Sequence, residues 1–109
     1  MERYDVTLTT TGAGQTLPMN ARAAPFTVGV AVEVQATATL TYKVQHTFWP
    51  YSTLIPMSSS VVWFDHPVLS GAASLNSSYT YNVTAVRLNL TGHTSGQATI
   101  RVLQGTIAV

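Results

Sequence analysis

The sequence contains no cysteine, and charged residues are scarce. The absence of cysteine excludes disulfides, thiol nucleophiles and thiolate metal sites. Asp, Glu, Lys and Arg make up 8% of the 109 residues, against about 25% in ordinary soluble domains. The few basic residues are spread along the chain, and the net charge is +1, so the basic run typical of nucleic-acid binding is missing. A neutral surface fits either an ordinary β domain with a hydroxyl-rich face or a protein covered by its partners.

Long apolar runs are also missing. No stretch approaches the roughly 20 apolar residues that cross a bilayer, and residues 1–5 lack the apolar segment of a secretory signal. We therefore expect a protein made in the cytoplasm without membrane attachment. The length is that of one domain, and we expect residues 1–109 to form a single one.

Helical periodicity is absent, and alternation with a period of two takes its place. The clearest case is residues 37–48, where Leu40, Tyr42, Val44, His46 and Phe48 share one face. The predicted strands are residues 3–9, 26–34, 37–48, 61–64, 78–90 and 98–102. The apolar face changes between Val83 and Val86, which predicts a bulge or turn near Thr84 and Ala85.

Glycine, proline and serine mark the breaks between these strands. Residues 18–25 are expected to form a loop or an edge segment, and loops are expected at residues 49–60 and 68–77. Residues 65–67 (DHP) are expected to form a turn that ends a strand. Residues 92–96 (GHTSG) have the composition of a hairpin turn. Six or more closely spaced strands without a helix predict an all-β, antiparallel β-sandwich and favour a jelly roll.

The histidines are the first candidates for chemistry, but their positions do not favour it. His46 lies on the apolar face of a strand and is expected to be a hydrogen-bonded core residue. His66 is expected in a turn where Asp65 accepts backbone N–H groups, and His93 is expected to be solvated at a hairpin tip. Their spacing is not that of a metal site, so we predict no metal or other cofactor.

No arrangement for catalysis is evident either. None of the serines stands in a G-x-S-x-G turn, and two of the four carboxylates, those of Glu2 and Asp5, lie within the first five residues. A pair of carboxylates across a cleft, as in glycosidases, is therefore not expected. The sequence predicts a protein that is not an enzyme.

Aromatic residues flank the central loop and are the best candidates for a binding surface. Trp49, Tyr51 and Trp63 are candidate interface residues, and exposed rings of this kind also stack on sugars. The alternative is that Trp63 and Phe64 fill the core from the two sides of their strand. For Trp49 and Tyr51, which flank Pro50, we expect exposure.

Five segments resemble small structural proteins of tailed bacteriophages. They are residues 25–30 (PFTVGV), 41–48 (TYKVQHTF), 63–67 (WFDHP), 84–91 (TAVRLNLT) and 95–104 (SGQATIRVLQ). In size and β-rich character the chain is similar to jelly-roll capsid decoration (cement) proteins of podovirus-like phages. The resemblance covers strand patterns only and transfers no functional residue.

The resemblance implies a virion component, made in the host cytoplasm and placed on the capsid surface. Its expected partners are the major capsid protein and further copies of itself, as a dimer or trimer. Nucleic acid and membrane are not expected partners. Two alternatives remain open: a head–tail, tail or fibre module of the virion, and a carbohydrate-binding module that uses Trp49, Tyr51 and Trp63.

Overall fold

The structure is a computed structural model that describes residues 2–19, 27–50 and 61–104. All regular elements in this part of the chain are β-strands. They are β1 (Glu2–Leu8), β2 (Gly12–Ala13), β3 (Leu17–Pro18), β4 (Val28–Val34), β5 (Thr39–Thr47), β6 (Phe64–Gly71), β7 (Leu75–Tyr79), β8 (Ala85–Ser95) and β9 (Ala98–Gln104).

Two antiparallel sheets pack against each other, which confirms the predicted β-sandwich. The four-stranded sheet has the order β1-β9-β4-β7. The five-stranded sheet has the order β2-β8-β5-β6, and β3 also pairs with β8. Most consecutive strands lie in different sheets, so each sheet is held together by segments that are distant in sequence.

The core lies between the sheets, as the alternation of the strands requires. In β5, Tyr42 and Val44 are buried, whereas Thr41 and Lys43 are exposed on the outer face. The predicted strands over residues 26–34 and 37–48 correspond to β4 and β5. The buried core cluster comprises Leu17, Met19, Val28, Val30, Val32, Leu40, Tyr42, Val44, Leu69, Tyr79, Val83, Val86, Leu88, Leu90, Ala98, Ile100 and Val102.

β6 and β7 lie where a turn and a loop were predicted, so these predictions were wrong. β6 continues through residues 65–67 to Gly71, and β6 and β7 together occupy most of residues 68–77, the segment predicted as a loop. Proline removes one backbone donor, but β6 is an edge strand that pairs only with β5 in its sheet, where a missing N–H is tolerated. The register between β5 and β6 also shifts between Lys43 and Gln45.

The predicted hairpin at residues 92–96 was also wrong. β8 continues to Ser95, and the chain then passes through Gly96 into β9, which belongs to the other sheet. Gly96 has a φ of +84°, and a Cβ there would lie 2.6 Å from the Ala38 Cα. Glycine is therefore needed both for the backbone conformation and for the close approach to Ala38.

The predicted break near Thr84 and Ala85 is confirmed. β7 ends at Tyr79 and β8 begins at Ala85. Because the two strands belong to different sheets, the change of face marks the passage from one sheet to the other. Residues 2–19, 27–50 and 61–104 include no helix of the length and apolarity needed to cross a membrane.

Candidate functional site

Of the three predicted interface residues, the structure describes Trp49 and Trp63, which flank residues 51–60 in the sequence. Trp49 follows β5, is half-buried, and donates its backbone N–H to Thr47 Oγ1 at 3.3 Å. Trp63 precedes β6, is also half-buried, and has the Arg87 guanidinium over its ring at 4.2 Å. Tyr51 lies outside the described residues. The described ring contacts do not join Trp49 to Trp63, and the buried core cluster does not include Trp63.

Three other rings form an exposed surface that we call the aromatic patch. It consists of Phe48, Phe64 and Tyr81, whose exposed fractions are 49%, 42% and 44%. The ring centroids of Phe48 and Phe64 are 5.7 Å apart, and those of Phe48 and Tyr81 are 6.3 Å apart. Phe48 was predicted to continue the apolar face of β5. It lies one residue beyond the end of that strand, so its ring extends the apolar surface outward.

His46 lies beneath the aromatic patch and touches all of its rings. Its ring centroid is 5.5 Å from Phe48, 6.0 Å from Phe64 and 5.6 Å from Tyr81. Its Nδ1 is 3.0 Å from the Tyr79 hydroxyl. The β5–β6 register places His46 opposite Phe64, which is why these two side chains meet. The prediction of a buried, hydrogen-bonded His46 is confirmed.

The group beneath the patch is kept uncharged at neutral pH. Burial lowers the pKa of His46, and the proximity of the His66 imidazole lowers it further, against an opposing effect of Asp65. Burial also raises the pKa of Tyr79. A neutral imidazole and a neutral phenol share one hydrogen bond without a net charge. The residues beneath the patch, His46 and Tyr79, are therefore polar but uncharged.

His66 joins the two edge strands β6 and β7. Its Nδ1 accepts the backbone N–H groups of Val68 at 3.1 Å and Leu69 at 3.3 Å. Its Nε2 is 3.2 Å from the Ser78 carbonyl oxygen, so Nε2 carries the proton and donates it. The predicted turn, with Asp65 as the acceptor, was therefore wrong: the imidazole of His66 accepts these backbone N–H groups.

His93 was predicted to be solvated at a hairpin tip, and this was also wrong. It is half-buried within β8, and its Nε2 lies 2.8 Å from the Gly96 carbonyl oxygen. The three histidines thus have separate hydrogen-bond partners. The described residues contain no group of three or more His, Asp or Glu that could hold a metal ion.

A hydrogen-bonded row of side chains, which we call the Arg87 network, crosses the outer face of the five-stranded sheet. Lys43 Nζ donates to Asp65 Oδ2 at 3.2 Å, and Gln45 Nε2 donates to Asp65 Oδ1 at 3.0 Å. Arg87 Nε donates to Gln45 Oε1 at 2.9 Å. The register explains the row, because Gln45 stands opposite Asp65 on one side and Arg87 on the other. The network ends at the Trp63 ring.

The bond from Gln45 and the contact with Lys43 lower the pKa of Asp65. This carboxylate is therefore ionised over the whole neutral range. Burial lowers the pKa of Arg87, because a partly desolvated guanidinium is less favourable than a hydrated one. The network thus holds a partly buried positive charge at its end.

The outer face of the four-stranded sheet carries a shallow groove of about 430 Å³. Gly29 and Ala31 are alternate residues of β4 that share its outer face, and their small size leaves space between the larger side chains around them. One wall carries ion pairs: Arg101 Nη1 lies 3.2 Å from Asp5 Oδ1, and Arg101 Nε lies 3.1 Å from Glu33 Oε1. These groups are exposed, so each pair contributes little to stability.

Sequence reasoning missed Arg87, Phe64 and Tyr81 as surface residues with a possible role. Arg87 alternates with the buried Val86 and Leu88, which marks it as outward-facing but does not reveal its neighbours. Those neighbours come from β5 and β6, so the strand pairing had to be known first.

No protein-family model and no curated protein matches the sequence significantly.

Proposed function

We propose that the protein is a non-enzymatic structural component of a bacteriophage virion, most specifically a capsid decoration or cement protein that binds and stabilises the major capsid lattice. The observation that carries the proposal is the aromatic patch: three exposed rings on a β-sandwich with very little charge. The resemblance to small structural proteins of tailed phages points to the virion as the assembly that contains this protein.

We infer further that the sandwich is a jelly roll. In support, β2 and β3 both pair with β8 and can be counted as one strand position. The sheets then have four positions each, and the chain enters and leaves the fold through neighbouring strands, β1 and β9. Jelly rolls are double-sheet folds of eight strands and are common in viral capsid proteins.

The aromatic patch has the chemistry of a protein contact. Aromatic residues are enriched in interface centres, where they supply a large area and few rotatable bonds. Burying a half-exposed ring contributes on the order of 1 kcal/mol, so the three rings contribute about 3 kcal/mol. That amount favours association and requires further contacts around the patch for a stable complex.

The patch suits contact with a second copy of the chain. A patch that lies on a two-fold or three-fold symmetry axis meets the same patch of another copy, so it must complement itself. The patch residues Phe48, Phe64 and Tyr81 are apolar or neutral, and such a surface meets its own copy without charge repulsion. This supports the expected homo-oligomer, a dimer or trimer, with the major capsid protein as the further partner.

An add-back experiment tests the proposal. Capsids purified without the protein are mixed with it, and bound protein and the capsid melting temperature are both measured. We expect saturable binding and a higher melting temperature. If the protein neither binds nor changes the melting temperature, the decoration role is excluded.

The position in the particle separates the decoration role from the alternative of a head–tail, tail or fibre module. Cryo-electron microscopy of the virion should show density for the protein repeated over the capsid surface. Density confined to the neck or tail would favour the alternative, and the aromatic patch would then serve contacts there.

The groove on the four-stranded sheet favours a second candidate, carbohydrate binding. Side chains of Asp5, Asn76 and Arg101 line it and could bond to sugar hydroxyls. Trp49 and Trp63, the predicted stacking residues that the structure describes, do not line this groove, and one face of Trp63 is covered by Arg87. Binding on a glycan array that is lost in Trp49→Ala supports the predicted platform, whereas binding lost only in Gly29→Val, which fills the groove, supports the groove. A blank array excludes both.

A further inference from the structure

The charges of the described residues are balanced except at Arg87. Arg3, Lys43 and Arg101 each have a carboxylate oxygen within 3.3 Å. Arg87 takes part in none of the ion pairs among the described residues. The described carboxylates are those of Asp5, Glu33 and Asp65, and each is already held by a cation.

The rest of the sequence offers little to balance Arg87. The parts of the chain that the structure does not describe, residues 1, 20–26, 51–60 and 105–109, contain no Asp or Glu. The remaining acidic residue, Glu2, belongs to β1 in the opposite sheet. A partly buried guanidinium without a carboxylate partner is unusual, because buried charges are normally paired.

The guanidinium is also held in place. Its Nε is fixed by Gln45, which is fixed in turn by Asp65, and its plane lies over the Trp63 ring. The hydrogen bonds among the described residues engage Nε. The two terminal Nη groups, which form the forked end of the guanidinium, are left for another acceptor. Such a fork matches the two oxygens of a carboxylate.

We infer that Arg87 and Trp63 form a receptor for an Asp or Glu side chain of the neighbouring capsid subunit. This inference rests on the proposed function and adds the chemistry of the contact. Arg and Trp are the residues most enriched where interfaces concentrate their binding energy. Because Gln45 and Trp63 already orient the guanidinium, little side-chain entropy is lost when the carboxylate binds.

The partner is a different protein and not a second copy. Two copies meeting through this surface would bring two Arg87 side chains together, and the chain's own described carboxylates are already paired. The aromatic patch and the Arg87 receptor thus serve different contacts. The patch can bind a second copy of the protein, and the receptor binds an acidic side chain of a different protein.

Variants of Arg87 test the inference in the add-back experiment. We expect Arg87→Gln to weaken capsid binding at least about tenfold and Arg87→Lys, which keeps the charge but loses the fork, to fall between it and the wild type. Arg3→Gln is the matched control, because it removes the same group from the other sheet, and it should bind within about twofold of the wild type. Circular dichroism melting confirms that all three variants are folded.

A second measurement tests whether the capsid group that binds Arg87 is a carboxylate. Capsids whose surface carboxylates have been converted to amides, and which remain intact by electron microscopy, should lose binding of the wild type to the level of Arg87→Gln. Equal binding of wild type and Arg87→Gln to untreated capsids, or full binding to amidated capsids, would overturn the receptor while leaving the decoration role standing. If the wild type does not bind untreated capsids at all, the decoration role fails and the receptor with it.

Discussion

His46 shows at the scale of a single residue how the surface and the core of this protein are connected. It is buried and bonded to Tyr79, yet its ring supports the exposed rings of the aromatic patch. A charge at this position would be placed beneath an apolar surface. The protonation of one side chain should therefore affect both stability and the patch.

We expect the protein to lose stability in mild acid through His46. Its pKa is lowered from 6.5 in the folded state, so the unfolded chain takes up the proton first. The free energy of unfolding should then fall as the pH drops below about 6.5 and continue to fall until the folded-state pKa is passed. Melting temperatures measured by circular dichroism between about pH 7.5 and pH 5, the range in which histidine titrates, check this.

His46→Asn is the variant for comparison, because its side-chain oxygen can still accept from the Tyr79 hydroxyl and does not titrate. Its melting temperature should depend less on pH than that of the wild type. Thr41→Ala, altered on the exposed face of β5 at a residue that does not titrate, serves as the control and should keep the wild-type slope. If the melting temperatures of wild type and His46→Asn change equally with pH, His46 has no part in the acid sensitivity.

At the scale of elements, the connections between sheets decide the architecture. Alternation in β4 and β5 could be recognised from the sequence, because a period of two places one side of each strand in the core. β6 and β7 could not, since Pro67 and the serines of β7 resemble a loop, and only the edge positions of these strands make them tolerable. Likewise, the glycine-rich segment before β9 has the same composition whether it closes a hairpin or crosses between sheets.

The connection from β8 to β9 gives a sharp test with a matched pair of variants. Gly96→Ala should destabilise the protein by about 1–3 kcal/mol, because alanine is strained at this positive φ and its Cβ would collide with Ala38. Gly29→Ala should be neutral or stabilise by up to about 1 kcal/mol, because its Cβ would meet only the Leu103 carbonyl oxygen at 3.9 Å.

Urea unfolding of the two variants and the wild type gives the free energies. A similar stability for Gly96→Ala and Gly29→Ala would mean that the turn is not as tight as the structure has it.

At the scale of the whole molecule, low charge and the aromatic patch act together. A net charge of +1 gives weak repulsion between copies, and the patch gives them an apolar surface to share. The Arg87 network, on the outer face of the five-stranded sheet, remains available to a different partner. Self-association and attachment to a lattice can therefore occur through separate surfaces.

We expect the protein to form dimers or trimers in solution through the patch. Phe48→Ser should shift the sedimentation velocity distribution toward the monomer, because it removes the ring that contacts both Phe64 and Tyr81. Val68→Ser is the control, since Val68 is 54% exposed and lies in β6, several residues from the patch. If Phe48→Ser associates as strongly as the wild type, or if Val68→Ser dissociates equally, the patch is not the interface.

The sequence by itself determined that the chain is an all-β sandwich, because apolar residues that alternate along a strand must be covered on one face. It also placed His46 in the core, because His46 lies on the apolar face of β5. Only the tertiary structure decided which strands pair, because β1 meets β9 and β5 meets β8 across long separations in the chain. The aromatic patch and the Arg87 network follow from those pairings, since each joins residues of different strands, and so no local pattern in the sequence could reveal them.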